Sequence, residues 1–232
     1  MMLVSDIRSY FIQELNDESF TTDKTGQKTI ELFGASFIAD EPSIFGVPSQ
    51  SYIDAELDWY LSCSTNINDI YKTESDEHQQ NARRDPPDAW RYAANEYGEI
   101  NSNYGKLIFD DKYYRQYENV LTELADNPDS RRACMVYNRP SIWAEFNENG
   151  KNDFICTNAV TYYIRNEQIH AVVQMRSNDV VFGYKNDYAW QRYVMQMIAD
   201  DLSGGNKSYT VGNLAWQVQN LHVYERHFHL VK

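Results

Sequence analysis

The sequence is short of cations, with 21 Lys and Arg against 34 Asp and Glu in 232 residues, a formal net charge of −13. Binding to a nucleic-acid backbone draws on clustered Lys and Arg that release counterions, so a general nucleic-acid binder is excluded. Any phosphate handled here must be small and locally gripped. Long apolar runs are missing as well: none approaches the ~18 residues of a membrane span. The segment Met1 to Leu15 is broken by Asp6, Arg8 and Glu14, which excludes a secretory core and predicts a cytoplasmic protein with no membrane partner. Cysteine is scarce. Cys63, Cys134 and Cys156 are odd in number and lack a CxxC spacing, which argues against a disulfide framework or a zinc site and for reduced thiols. One of the three is therefore available as a nucleophile. Repeats and low-complexity stretches are also wanting.

What is present is ample core material. Hydrophobic residues make up 42% and aromatics 14%, over a length that predicts one domain across 1–232. Helical spacing of Leu3, Ile7, Tyr10, Phe11 and Leu15 predicts a first helix, followed by a polar loop over Asn16 to Lys28. Thr29 to Ala39 reads as a strand pair or one bent strand, with Gly34 as a bulge or close backbone approach. Ser51 to Leu61 is helical with Glu56 near its middle, and residues 64 to 89 form the longest loop. A helix over Tyr113 to Leu124 is stopped by the Asn127-Pro128 turn. Strands are predicted at Ala133 to Tyr137, Asp153 to Ile164 and Gln168 to Arg176, the last two joined as a hairpin. A helix over 187 to 202 ends at Ser203-Gly204-Gly205-Asn206 through a left-handed glycine, and Ser208 to Val231 alternates as a strand. This order predicts an α+β class, with helices on a mixed or antiparallel sheet.

Taken singly, the polar residues leave alternatives open. Cys156 is either a nucleophile, which needs a positive environment, or a small core residue. Arg131-Arg132 either grips a phosphate in bidentate fashion or is a solvated surface pair. Arg176-Ser177-Asn178-Asp179 places a cation, a hydroxyl, an amide and a carboxylate at the end of an apolar strand. His222, His227 and His229 match no common metal spacing. Glu56 is either a paired structural acid or, if burial raises its pKa, a useful acid or base.

Read together and in order, Glu56-Leu57-Asp58-Trp59, GEINSNYG from Gly98, NPDSRR from Asn127, Cys156-Thr157, Arg176-Ser177-Asn178-Asp179 with Gly183, and His222-Val223-Tyr224 resemble the thymidylate synthase family over roughly Asp23 to Lys232. KTIELFGASFIADEPSIFG, RSNDVVFG, NDYAWQ and LHVYERHF bring the likeness nearest to its deoxycytidylate (dCMP) hydroxymethylase branch. The resemblance implies a thymidylate synthase-like fold and one-carbon transfer from 5,10-methylenetetrahydrofolate to C5 of dCMP, with water completing the product. It implies Cys156 as nucleophile, Asp187 as the base-reading carboxyl where a synthase has asparagine, and Glu56 as the residue that handles water and protons. Cytosine offers an N3 acceptor and an N4 donor, the reverse of uracil, and a carboxyl sharing one proton with N3 fits that pattern. The phosphate falls to Arg176 and Ser177 of one subunit and to Arg131 and Arg132 of the other, which implies a homodimer. His222 and Tyr224 fall to the sugar hydroxyl, Asn103 and Tyr104 to the neighbourhood of the base, and Trp90, Asp179 and Gly183 to the folate. Lys24 stands where a synthase has a phosphate-gripping arginine. Ile155 and Thr157 replace the synthase proline and histidine around the cysteine, which leaves activation to Arg176. Rival readings are a dUMP or CMP hydroxymethylase, a thymidylate synthase proper, and a catalytically silent scaffold.

Overall fold

The computed structural model describes residues 2–22, 26–72 and 84–232. Lys24 and residues 73–83 of the long 64–89 loop fall outside these residues. In chain order the elements are β1 (Met2–Leu3), α1 (Val4–Asn16), β2 (Thr21–Thr22), β3 (Lys28–Ile38), α2 (Gln50–Leu61), α3 (Asp88–Ala93) and α4 (Tyr104–Phe109). Then follow α5 (Gln116–Asp126), β4 (Cys134–Val136), α6 (Ile142–Glu145), β5 (Thr157–Arg165), β6 (Gln168–Asp179), α7 (Gly183–Leu202) and β7 (Thr210–Tyr224). The class is α+β. The chain forms two compact units, one of Met1–Pro48, Val120–Cys134 and Cys156–Lys232, the other of Ser49–Asn119 and Met135–Ile155.

The first unit is built on a sheet ordered β1-β3-β7-β6-β5-β4, with β2 added to β3. Strands β6 and β7 run parallel, joined by α7 as crossover, whereas β3 with β7 and β5 with β6 are antiparallel. Period-two burial of Leu214, Trp216 and Val218, and of Ile169, Ala171, Val173 and Met175, gives the sheet an apolar face. Val4, Ile7 and Phe11 of α1 and Trp190, Val194 and Ile198 of α7 are fully buried and complete that core. The β5–β6 hairpin turns on Asn166 and Glu167, both left-handed at φ 51° and 59°, the pairing that matches the twist of the flanking strands.

Several boundaries differ from the sequence expectations. The β3–β7 register keeps one offset on both sides of Gly34, from Thr29↔Tyr224 to Ile38↔Ala215, and a Cβ there would meet nothing within 4 Å among the described residues. The glycine marks neither a bulge nor a close approach but a φ of +68° that L side chains disfavour. Helix α5 begins at Gln116, not Tyr113, because Tyr114 and Arg115 are left-handed. Strand β5 begins only at Thr157, and β6 runs on to Asp179. Helix α7 starts a turn earlier than expected, at Gly183, and its cap is Ser203 in extended backbone, not a left-handed glycine. The Ser203 hydroxyl donates to the Ala199 carbonyl and accepts from Tyr209 N–H. Strand β7 ends at Tyr224, and Glu225–Leu230 is 3-10 helical, so His227 and His229 lie beyond the sheet.

The second unit packs short helices around aromatic rings. Tyr60 of α2 stacks on Tyr104 of α4, which meets Tyr137 edge-on. Gly105 permits that approach: a Cβ on it would lie 1.8 Å from the Tyr60 carbonyl oxygen. Buried Asp153 ties the loop before α4, accepting from the N–H groups of Asn101 and Ser102 and from the Ser102 hydroxyl.

Candidate active site

In the first unit, the end of β6, the start of α7 and the end of β7 gather most of the residues singled out above. Cys156 is half-buried just before β5. Arg176 sits beside it, its N–H donating to the Cys156 carbonyl at 2.9 Å and its Nη2 lying 3.4 Å from Sγ. A guanidinium against sulfur supports the ionised thiolate, the form that acts as a nucleophile. The cation thus supplies what the sequence around the cysteine lacks.

Asp187, in the second turn of α7, accepts a hydrogen bond at Oδ2 from Asn178 Nδ2 at 2.7 Å. Buried Asn178 accepts in turn from Trp216 Nε1 at 3.2 Å. An indole N–H can only donate, so the Asn178 oxygen must face Trp216 and its NH₂ must face Asp187. Asp187 Oδ2 is thereby fixed as an acceptor. Gly183 makes the arrangement possible, since a Cβ there would stand 3.1 Å from Asn178 Nδ2 and 3.8 Å from Asp187 Oδ2. Asn178 and Trp216 were not assigned from the sequence; a buried tryptophan gives no local sign that its indole N–H serves a distant carboxyl.

Asp179 divides its carboxylate. Oδ1 accepts from the N–H groups of Val181 and Phe182 at 2.9 and 2.7 Å, bracing the start of α7. Oδ2 is buried without a hydrogen-bond partner among the described residues. Strand register sets Asp179 opposite His222 and Ser177 opposite Asn220. Burial holds the His222 imidazole below its usual pKa, opposed by the Asp179 charge. Tyr224, two residues on, meets His222 edge-on at 5.0 Å.

Arg131 and Arg132 follow the turn closed by Ser130 N–H donating to the Asn127 carbonyl. Arg131 is exposed. Arg132 is held on Glu123 through Nε and Nη2, and the Ser130 hydroxyl donates to the same carboxylate, which keeps the Glu123 pKa low. This pair is therefore a preset surface feature of the first unit.

In the second unit, Glu56 is buried on α2 at 5% exposure. Tyr52, one turn earlier, donates its hydroxyl to Glu56 Oε1 at 2.6 Å, and Trp90 Nε1 donates to the same oxygen at 3.1 Å. Burial pushes the Glu56 pKa up to about 7 against these two donors. A carboxyl poised there exchanges a proton readily near neutrality. Tyr52 was overlooked in the sequence, although its i,i+4 spacing to Glu56 was the available signal. Trp90 is placed as a donor to Glu56. Asn103 needs correction as a substrate contact: its NH₂ donates to the carbonyls of Trp59 and Ser64, and its oxygen caps α4 by accepting from Lys106 N–H. No amide hydrogen is left for a ligand. Tyr104 is buried in the ring stack beside it.

The thymidylate synthase family model matches residues 11–232. The chain is 48% identical, over 99% of its length and 89% of theirs, to the deoxycytidylate 5-hydroxymethyltransferases of Enterobacteria phages T4 and T2. It is 26% identical to a thymidylate synthase of Buchnera aphidicola subsp. Acyrthosiphon pisum, over 90% of this chain and 75% of that one. A crystal structure of thymidylate synthase from T4 phage superposes with a TM-score of 0.72 at 23% identity, covering 96% of this chain and 77% of that chain. With the family model spanning nearly the whole chain, the protein belongs to the thymidylate synthase family.

Proposed function

We propose that this protein is a deoxycytidylate 5-hydroxymethyltransferase, which adds a hydroxymethyl group to C5 of dCMP. The observation that carries the reading is the Asp187 carboxyl, oriented by Asn178 and Trp216, in a chain 48% identical to enzymes of that name. Oδ1 holds the proton that cytosine N3 needs, and Oδ2 accepts from the N4 amino group. Against uracil the same carboxyl would face O4 with a second acceptor, and a buried unpaired polar group costs about 1–3 kcal/mol.

Cys156 Sγ forms a bond to C6, and the displaced electron pair makes C5 nucleophilic while charge develops toward N3. The proton between Asp187 Oδ1 and N3 meets that charge as it forms, so the stabilisation falls on the transition state. Bound methylenetetrahydrofolate supplies one carbon at the oxidation level of formaldehyde. The buried, unpartnered Asp179 Oδ2 fits the N–H donors of a pterin. Glu56, with a pKa near neutrality, takes the proton lost from C5 once the carbon is bonded there, passes it to the amine nitrogen of tetrahydrofolate as that leaves, and, ionised again, accepts a proton from the water that completes the hydroxymethyl group. Elimination of the thiolate then restores the aromatic base.

Arg176 and Ser177 hold the phosphate, joined by Arg131 and Arg132 of a second copy, so the active species is a homodimer. Exposed Arg131 and the exposed Phe33 ring on β3, at 71%, support an association of this kind. His222 and Tyr224 meet the sugar.

The test is tritium release from [5-³H]dCMP, [5-³H]dUMP and [5-³H]CMP with methylenetetrahydrofolate, followed by product mass. Preferential release from dCMP with a gain of CH₂O is expected. A gain of CH₂ on dUMP would identify a synthase, and release from none would identify a silent scaffold.

A further inference from the structure

The second unit contains a cavity of about 670 Å³, and none of the described site residues named above lines it. Thr65 and Ile100 form part of its wall, joined by the Ile100 N–H donating to the Thr65 carbonyl at 3.0 Å. Helix α4 and the turn after it bring Lys106 and Lys112, and the segment after α6 brings Lys151. A chain with 21 cations against 34 acids thus commits three ammonium groups to one cavity.

The carboxylates nearby leave much of that charge unanswered. Lys106 has Asp110 at 3.2 Å, one helical turn away. Lys112 has no carboxylate within 4.0 Å among the described residues, and its ammonium lies 5.3 Å from the centre of the Tyr113 ring. Lys151 is the least solvated, its side chain 13% exposed; it donates to the neutral Asn101 Oδ1 at 2.8 Å and stands 3.7 Å from Glu148. Glu148 is open to solvent, which weakens its hold. An ammonium this withdrawn from water, served by an amide and a solvated acid, favours a further anion. Of the two acids that line the cavity, Glu99 is engaged by the Thr65 hydroxyl and the Asn66 amide, and Glu96 is exposed.

Beside the cations stands an aromatic surface. Tyr97 lines the cavity and is 69% exposed. Its carbonyl is held by Asn66 Nδ2 at 2.9 Å, and the next residue, left-handed Gly98, packs so closely that a Cβ would meet Asn68 Nδ2 at 2.7 Å. An exposed ring on a backbone fixed in this way is a stacking platform for a planar heterocycle.

We propose that this cavity binds a nucleoside triphosphate, its phosphates on Lys106, Lys112 and Lys151 and its base on Tyr97. Three ammonium groups from separate segments serve more than one phosphate, and the volume suits a ligand of that size. The site shares no residue with the dCMP reading and does not depend on it.

The test is calorimetric titration of dCTP and of inorganic triphosphate, each with and without saturating dCMP. Both are expected to bind, dCTP about tenfold tighter through its stacked base, and dCMP should leave both affinities unchanged. Lys112→Glu, at an exposed position, should weaken both ligands at least about tenfold, and Lys151→Met should do the same; Lys112→Glu decides the matter if Lys151→Met does not fold. Tyr97→Ala should lower dCTP to the affinity of triphosphate. Wild type that binds neither ligand overturns the inference, as do affinities unmoved by Lys112→Glu. Displacement by dCMP overturns it too, by placing the triphosphate at Arg176, and equal binding of dCTP and triphosphate overturns the nucleotide assignment. Failure of dCMP to bind would count against the proposed function alone, because the lysine and tyrosine variants read the cavity without it.

Discussion

Asn178 presents its NH₂ to Asp187 Oδ2 at 2.7 Å because Trp216 occupies the other end of its amide. In the proposed reading, base selection is distributed over three residues from β6, α7 and β7. Asp187→Asn is expected to shift preference from dCMP toward dUMP, read as the ratio of kcat/KM for the two nucleotides. Unchanged selectivity would remove Asp187 from base recognition. Asn178→Ala should lower kcat/KM for dCMP by up to about tenfold, as expected for loss of one hydrogen bond that orients the Asp187 carboxyl.

Arg176 touches the Cys156 sulfur directly. Arg176→Met should slow alkylation of Cys156 by iodoacetamide and move its pH profile upward, since less thiolate is present at a given pH. An unaltered profile would show that thiolate support comes from elsewhere in the site.

Glu56 binds a proton more tightly folded than unfolded, its pKa rising from 4.5 to about 7. The stability this contributes is fully present below pH 4.5 and is lost as pH rises through 7. Between those limits wild type should lose roughly 3 kcal/mol relative to Glu56→Gln, by proton linkage across that shift. Urea unfolding of both proteins at several pH values measures it, and parallel curves would contradict the raised pKa.

Tyr52 donates to the ionised form of Glu56. Tyr52→Phe removes one of the two groups that hold the carboxyl pKa down, so the acid limb of the activity profile should move to higher pH. A limb that stays in place would separate Glu56 from the step that limits turnover.

Gly105→Ala would put a Cβ 1.8 Å from the Tyr60 carbonyl oxygen, a clash with backbone that no rotamer relieves. Overpacking of this severity should cost about 3 kcal/mol or more and lower the melting temperature by several degrees. An unshifted melt would mean that α2 and α4 are free to separate.

What could be read in advance depended on whether the signal was local. The α2 helix with its buried acid, the β5–β6 hairpin and the Asn127 turn rest on spacing and turn chemistry within a few residues, and the structure has them. The early start of α7 has no signal of its own within the helix, because Asp179, four residues upstream, braces the amides of Val181 and Phe182 just ahead of it. Asn103 looked like a ligand contact because its three acceptors and donors, Trp59, Ser64 and Lys106, include two far away in sequence. The path from Trp216 through Asn178 to Asp187 joins β7, β6 and α7, and no window of sequence contains it.

The divided carboxylate of Asp179 has a spectroscopic consequence. One oxygen already polarises the amides of Val181 and Phe182, so any donor that arrives at the other oxygen draws electron density from those same bonds. The two amide proton resonances should therefore shift upfield on co-substrate binding and remain indifferent to the nucleotide, a reporter placed in the backbone by the helix start itself.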